Sequence, residues 1–448
     1  MDREILRNRV IDALGDRRLV FAGLRGSDIE SISDIPQLFA SYSIIDAYRR
    51  HELESVAYED LTGIRVDLDR WDIDDHLSAD ATVSFRRGLL TALSARSALL
   101  PYRPSRFLSS VVFARQDRCT NLGLSGAQQS AFEHKPWVET SLRHAGVPTL
   151  EWRYIADEEQ PEVRSLLDDG PVVLRRSRTS GGEGVMVAHT PEDVREMWPR
   201  ADESFVAVAK YLENSVSLNV AAVVWSDGVT VHHPSVQLIG IPECTTRPLG
   251  YCGNDFGAVK DLEPEQLDTI EDRTRLIGAW LRGNGYIGTF GVDFLLHDGE
   301  VLFTEINARF QGSTHASARL SVESGQACLV LEHVAAMLGL SAGARPRLRD
   351  IVPETPDLAH IVVHSASRWP MAVDNQTLRN DSRLRETRTM VDMTTRPTTS
   401  TQPGGVIARL TTRNRVTDNG YRLRPPWVDM VGGIRDAAVA AAREEPSQ

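Results

Sequence analysis

The sequence predicts a mixed α/β and α+β chain built in three parts. Three observations carry that reading. Short apolar segments alternate with amphipathic, helix-like ones through the middle of the chain. One strong hairpin is marked by Asp298-Gly299. Residues 346–448 then turn rich in threonine, arginine and proline. At about 150 residues per domain, 448 residues suit three domains. The expected boundaries are 1–125 for an N-terminal α/β domain, 126–345 for the core and 346–448 for a small C-terminal domain.

The elements follow in order. Val20-Phe21-Ala22 is a short apolar strand ending at Gly23. A helix starts at Pro136, since proline is pre-organised for the first helical position, and Gly146 supplies its left-handed stop. Pro171–Leu174 reads as a buried strand, and Thr190-Pro191-Glu192-Asp193 as a capped helix start. Phe205–Leu212 and Leu218–Trp225 read as strands. Pro264 to Leu281 is an amphipathic helix ended by Gly283 and Gly285. Tyr286–Leu296 and Glu300–Asn307 form the hairpin. In the last part, Gly404–Thr412 and Tyr421–Arg424 flank the turn signal Asn419-Gly420, a helix closes the chain near Val431–Arg443, and the final EEPSQ is expected to fray.

Composition removes several classes. Hydrophobic residues at 41% and charged residues at 25% are those of a globular protein. No apolar run approaches a membrane span, and MDREILRNRV has no apolar signal core, so a cytoplasmic protein without membrane attachment is expected. Cys119, Cys244, Cys252 and Cys328 are too scattered for a disulfide framework or a zinc site. A net charge of −12 disfavours nucleic acid as a partner. Among 50 basic residues only Lys135, Lys210 and Lys260 are lysines. A coding bias toward arginine explains that, and a surviving lysine then marks a place where arginine's planar fork does not fit. Seven arginines and one acid lie between Arg86 and Arg118. They are either solvated helix faces paired with acids from Asp67 to Asp80 or a surface for an acidic partner.

The hairpin carries the strongest chemistry. Asp293, Glu305 and Asn307 are oxygen ligands of the kind that hard cations such as Mg²⁺ prefer. Glu305 and Asn307 share a face because side chains alternate along a strand. Asp293 joins that face if the turn holds an odd number of residues, as a three-residue turn with Gly299 left-handed provides. Three polar groups inside apolar strands are costly without a partner, and a metal satisfies them all. A second feature, Arg175-Arg176-Ser177-Arg178-Thr179-Ser180-Gly181-Gly182-Glu183-Gly184, follows a strand directly. Closely spaced glycines let backbone N–H groups approach phosphate oxygens, although the loop fits neither the P-loop pattern nor GxGxxG, and a plain hairpin turn fits it equally. A third, Lys210-Tyr211-Leu212-Glu213-Asn214, ends an apolar strand.

In this order and spacing the features resemble the ATP-grasp ligases over roughly residues 126–330. The resemblance implies an ATP-grasp fold with ATP and Mg²⁺ (or Mn²⁺) as cofactors. It places Lys135 on the nucleotide phosphates, with Arg175 where the family has a second lysine. Ser180, Gly181, Gly182 and Gly184 fall in the mobile phosphate loop. Lys210, Tyr211 and Leu212 fall in the adenine hinge, and Ser217 and Asn219 near the ribose. Asp293, Glu305 and Asn307 match the metal ligands, and Arg309 the arginine beside the transferred group, with Arg175 as a further catalytic cation. The flanks TGIRVDL, ALLPYRPSRFLSS, YCGNDF and GSTHAS are similar to the pheganomycin-type peptide ligases and the butirosin-type ligases that load amino acids onto carrier proteins. That likeness implies a pre-ATP-grasp N-terminal domain, a small C-terminal domain, a homodimer and a place in natural-product biosynthesis. Tyr251, Asn254 and Asp255 are candidates to hold a substrate α-amino group, and Ser313, His315 and Ser317 to line the acceptor site. The expected reaction joins a small-molecule carboxylate to an amine through an acyl phosphate, releasing ADP. The alternatives are transfer to an acyl-carrier protein thiol, and nucleotide binding without turnover.

Overall fold

The computed structural model describes residues 1–48, 53–157, 160–176, 181–198, 205–372, 382–391 and 400–443. The N-terminal part contributes strands Arg18–Arg25 (β1), Leu38–Ile45 (β2), Glu54–Ala57 (β3), Ile64–Arg65 (β4), Ser97–Pro101 (β5) and Cys119–Asn121 (β6). Five of them form a parallel sheet in the order β3-β2-β1-β5-β6. Parallel sheets are covered on both faces, so their strands read as continuous apolar runs. Leu19 and Phe21 of β1 pack toward Leu6, Val10 and Leu329, while Val20 and Ala22 pack toward Phe85, Leu89 and Phe107. The strand runs on through Gly23 to Arg25 rather than ending there.

A second sheet is antiparallel, with Arg153–Ile155 (β7), Val172–Arg175 (β8), Val185–Ala188 (β9) and Val206–Lys210 (β10) in the order β7-β10-β8-β9. The helix Lys135–His144 precedes it and closes at Gly146, whose φ of +84° is the left-handed stop. Thr190 caps the helix Pro191–Met197 through a reciprocal box with Asp193.

The largest sheet holds Val216–Val224 (β11), Val229–Val231 (β12), Ser235–Ile239 (β13), Tyr251–Asp255 (β14), Gly288–His297 (β15) and Glu300–Asn307 (β16). It continues through Ala359–His364 (β17), Met390–Val391 (β19) and Val406–Thr412 (β21), in the order β16-β15-β11-β13-β14-β17-β21-β19, with β12 beside β11. The strands assigned from sequence to a separate C-terminal domain therefore extend the core sheet, β17 pairing with β14 over Gly253–Asp255. Two short strands, Met371–Ala372 (β18) and Ser400–Thr401 (β20), join β4, which ties the C-terminal part to the N-terminal one. Tyr421–Arg424 is not a strand; one bridge between Thr417 and Leu423 stands in its place. The closing helix starts at Pro425, six residues earlier than expected, and seats Trp427, Met430 and Val431 on Ile361 and Leu410. EEPSQ lies outside the described residues.

The hairpin turn differs from the expectation. His297 pairs with Glu300, so the turn holds only Asp298 and Gly299, both at positive φ. The odd residue lies inside β16: between Asp293/Glu305 and Phe294/Phe303 the register shifts, leaving Thr304 as a bulge. Val301 and Phe303 before it, and Ile306 and Ala308 after it, all face the apolar cluster under the helix Pro264–Gly283. The bulge thereby turns Glu305 and Asn307 onto the opposite face, beside Asp293. Each fully buried Val, Leu, Ile or Phe in that cluster contributes about 1.5–3 kcal/mol. A slipped register would forfeit several of these contributions at once.

Candidate active site

The polar face of the hairpin floors a cavity of about 300 Å³. Asp293 is held there by its neighbours. Asn219 donates to its Oδ1 at 2.6 Å, Gln237 at 3.2 Å, and Asn307 Nδ2 donates to Oδ2 at 3.3 Å. Burial, and then the adjacent Glu305 carboxylate, push the Asp293 carboxyl up to about 7. The Lys135 ammonium, buried at the start of its helix, donates to Glu305 Oε1. Among the described residues no cluster of three His, Cys, Asp or Glu side chains is arranged around a metal. The trio instead offers two carboxylates and one amide.

Gln311 and Gly291, which sequence reasoning passed over, shape this floor. Gln311 Oε1 accepts from Asn219 at 3.0 Å, and a Cβ on Gly291 would lie 1.7 Å from that oxygen. A strand glycine two residues before a candidate ligand was the available signal. Arg309, two residues after Asn307, donates to Glu133 at 3.1 Å and lines the cavity. Arg175 also lines it, but the guanidinium is committed: it pairs with buried Glu139, lies 3.9 Å over the Trp152 ring, and donates to the Thr304 carbonyl at 3.4 Å. It therefore braces the bulge from the cavity wall.

The glycine loop is docked at the cavity mouth. Gly181, Gly182 and Gly184 all have positive φ, and a Cβ on Gly182 would fall 1.9 Å from the Leu249 carbonyl. Tyr251 N donates to Gly181 O at 3.2 Å. Glu183 pairs with Arg70 at 3.0 Å and with Arg247 at 3.4 Å, and Arg247 also binds Asp69 at 2.6 Å and Asp67. This ion-pair latch draws on segments far apart in the chain, so no local motif announces it. Ser177, Arg178, Thr179 and Ser180 lie outside the described residues.

The remaining candidates divide. Lys210 is exposed at the end of β10, Tyr211 N donates to Pro171 O at 2.8 Å, and Leu212 packs near Leu150, Trp152 and Leu302. Lys260 is a surface partner of Asp357 at 2.7 Å. Ser217 donates to Gln237 at 2.6 Å. Asn219 supports Asp293 rather than standing ready for a ribose, and Ser313 donates to it at 2.8 Å. Tyr251 and Asn254 line the cavity, bonded to each other at 2.5 Å. Asp255 does not: its carboxylate accepts from Gly257 N, Ala258 N, Val416 N and Thr417 N at 2.7–3.2 Å, fastening the C-terminal part to β14. In this structure the Asp255 carboxylate faces backbone N–H groups and not the cavity. His315 is likewise internal. Its Nδ1 donates to Ser27 O at 3.1 Å, and burial followed by nearby Arg409 and Arg25 lower it to about 3. It faces the segment 26–32 of the N-terminal part, and Ser317 is buried on the same helix.

A second cavity of about 550 Å³ adjoins the first through Asp69, Arg103, Glu305 and Arg309. Of the basic stretch 86–118, only Arg103 and Arg106 line it. Arg96 pairs with Asp16, Arg106 with Asp74 and Arg118 with Asp117, while Arg103 turns into the cavities.

Residues 140–325 match the ATP-grasp domain family. The formate-dependent phosphoribosylglycinamide formyltransferase of Synechococcus sp. (strain RCC307) is 26% identical over 204 residues, covering 44% of this chain and 47% of that protein. The carbamoyl phosphate synthase large chain of Methanocorpusculum labreanum is 29% identical over 200 residues, covering 43% and 17%. The chain thus spans about half the length of the formyltransferase it matches. Among solved structures, N5-carboxyaminoimidazole synthase from Aspergillus clavatus, in complex with ADP and an aminoimidazole ribonucleotide, superposes with a TM-score of 0.61 at 12% identity, covering 95% of this chain and 99% of that one. The biotin carboxylase of Campylobacter jejuni superposes with a TM-score of 0.58 at 14% identity, covering 89% and 87%. Domain match and superposition agree, and the fold of this chain is the ATP-grasp fold.

Proposed function

We propose that the chain is an ATP-dependent, ADP-forming ligase that joins a carboxylate to an amine. One observation carries the reading: two carboxylates, an amide, an arginine and a docked glycine loop converge on one cavity, and a buried lysine reaches one of the carboxylates from the cavity beside it. The relatives named above, and ATP-grasp enzymes crystallised with ADP, support nucleotide chemistry there.

The donor set fits a divalent cation. Asp293 and Glu305 repel each other on a buried floor, and oxygen ligands suit Mg²⁺ or Mn²⁺. Asp293, Glu305 and Asn307 would hold the cation, which supplies charge neutralisation on phosphate oxygens. Lys135, released from Glu305, binds phosphate. A substrate carboxylate oxygen attacks the γ-phosphorus; the bond to the β,γ-bridging oxygen breaks, and ADP leaves with that electron pair. The amine lone pair then attacks the acyl carbon, the C–O bond to phosphate breaks, and inorganic phosphate departs as the amine loses a proton to solvent. Arg309 stabilises charge on the transferred group. Loop 181–184 excludes the water that would hydrolyse an acyl phosphate.

A peptide or amide product, in natural-product biosynthesis, is the finer form of this reading. The carrier-thiol alternative drew on the basic stretch, which the fold disperses into ion pairs and a cavity wall. Incubation with Mg-ATP, hydroxylamine and a carboxylate library tests the proposal. Hydroxamate with stoichiometric ADP is the expected outcome. Hydroxamate with AMP, or no hydroxamate from any carboxylate, overturns it.

A further inference from the structure

Arg103 stands at a junction. It lines the metal-facing cavity, the 550 Å³ cavity and a third, apolar slot of about 60 Å³. The slot is walled by Trp71, Phe85, Phe107 and Leu108, with Asp72 and Arg103 at its rim. Arg103 makes no hydrogen bond and no ion pair with the described residues. Glu133, Asp72 and Asp69 surround it only at longer range, and Arg309 is close enough to repel it. Burial, and then Arg309, lower its affinity for its proton, and Glu133, bonded to Arg309 Nε, offsets part of that charge; both guanidiniums keep further N–H donors on the cavity wall, where an anion suits them.

The neighbouring acids differ in availability. Asp74 is consumed as a helix cap, accepting from Arg106 N and Phe107 N at 2.8 Å each. Asp69 belongs to Arg247. Among the described residues Asp72 accepts only from Asp74 N, through one oxygen, at 2.9 Å, and it lines both the slot and the larger cavity. A cation-binding carboxylate, an anion-binding guanidinium and an apolar slot thus share one rim, beside the wall that carries Glu305 and Arg309.

We propose, resting on the ligase reading above, that this junction binds the electrophilic substrate as an apolar α-amino acid. Its carboxylate lies between Arg103 and Arg309 facing the metal ligands, its ammonium at Asp72, and its side chain in the slot. The N-terminal part of the chain thereby sets substrate choice, while the ATP-grasp domain supplies the phosphoryl chemistry.

The test uses the full chain with Mg-ATP and hydroxylamine. The acyl donors are leucine, methionine, phenylalanine, glycine, aspartate, lysine and 4-methylpentanoate, which is leucine's skeleton without the amino group. Apolar amino acids are expected to exceed glycine, aspartate and lysine by about 50-fold in kcat/KM. Arg103→Met is expected to raise the amino-acid KM about 30-fold and leave the ATP KM unchanged, a split that a merely structural role would not give. Asp72→Asn is expected to erase the preference for leucine over 4-methylpentanoate. Leu108→Trp, which fills the slot, is expected to shift preference toward glycine, and it keeps the test alive if Arg103→Met does not fold. Equal activity with charged or unsubstituted carboxylates, or an unchanged amino-acid KM in Arg103→Met, overturns this inference alone. Absence of hydroxamate from every carboxylate overturns the ligase reading, and this inference with it.

Discussion

At the scale of single residues, the pairing of Lys135 with Glu305 separates structure from chemistry. Glu305 stands opposite the Asp293 carboxylate and beside the buried Lys135 ammonium, so repulsion from one neighbour and attraction to the other offset each other in the unliganded chain. Glu305→Gln keeps the size and removes the charge. Mg-ATP turnover is expected to fall by about 100-fold or more, with the melting temperature unchanged. A variant that loses stability along with activity would make Glu305 a structural residue. Lys135→Ala is expected to raise the ATP KM by about tenfold, the worth of one charge-assisted hydrogen bond. ADP-release kinetics measure both. The ligand types were legible in the sequence because Asp, Glu and Asn on apolar strands are conspicuous. The commitments of Arg175 and Asp255 were not. Glu139, and the backbone N–H groups of Val416 and Thr417, reach them from distant parts of the chain.

At the scale of elements, the hairpin and the glycine loop show what a pattern reveals and what it hides. Alternation and Asp298-Gly299 located both strands, yet the common face of the ligands depends on the bulge at Thr304. A bulge has no fixed sequence mark; here it is set by the Thr304 hydroxyl donating to Asp293 O at 2.9 Å and by Arg175 on the Thr304 carbonyl. The loop's glycines were legible as a close backbone approach, whereas its anchor, Arg247 with Asp67, Asp69 and Glu183, was not. Arg247→Ala removes that anchor, leaves Asp67 and Asp69 without their guanidinium and leaves Glu183 to Arg70 alone. kcat/KM for ATP is expected to fall about tenfold, equivalent to about 1.4 kcal/mol. ADP released per hydroxamate formed is expected to rise above one, because water reaches the acyl phosphate. Unchanged coupling in Arg247→Ala would show that the latch does not govern closure.

At the scale of the whole molecule, the junction between the N-terminal sheet and the core sheet decides both function and stability. It is apolar where Leu6, Phe21 and Tyr102 meet Trp225, Phe310 and Leu329, and polar where Arg103 faces Glu305 and Arg309. His333 pins it from inside. Its Nδ1 accepts from Thr289 N at 2.9 Å on β15, and its Nε2 donates to Leu122 O at 2.7 Å just beyond β6. Burial lowers its pKa to about 4 from the ordinary 6.5. The folded state therefore favours the neutral ring, and the unfolded chain binds more protons between those values. Stability from this group is complete above about pH 6.5 and is lost as pH falls toward 4. Between pH 7.5 and pH 5 the loss amounts to about 2 kcal/mol from His333 alone. Glutamine offers one acceptor and one donor in similar positions without titrating. In urea unfolding, His333→Gln is expected to narrow the pH 7.5-to-5 stability difference by about that amount. It should also leave hydroxamate formation at pH 7.5 intact. An undiminished pH dependence in the variant would place the acid sensitivity elsewhere, in His233 or His315, which are buried and lowered in the same way.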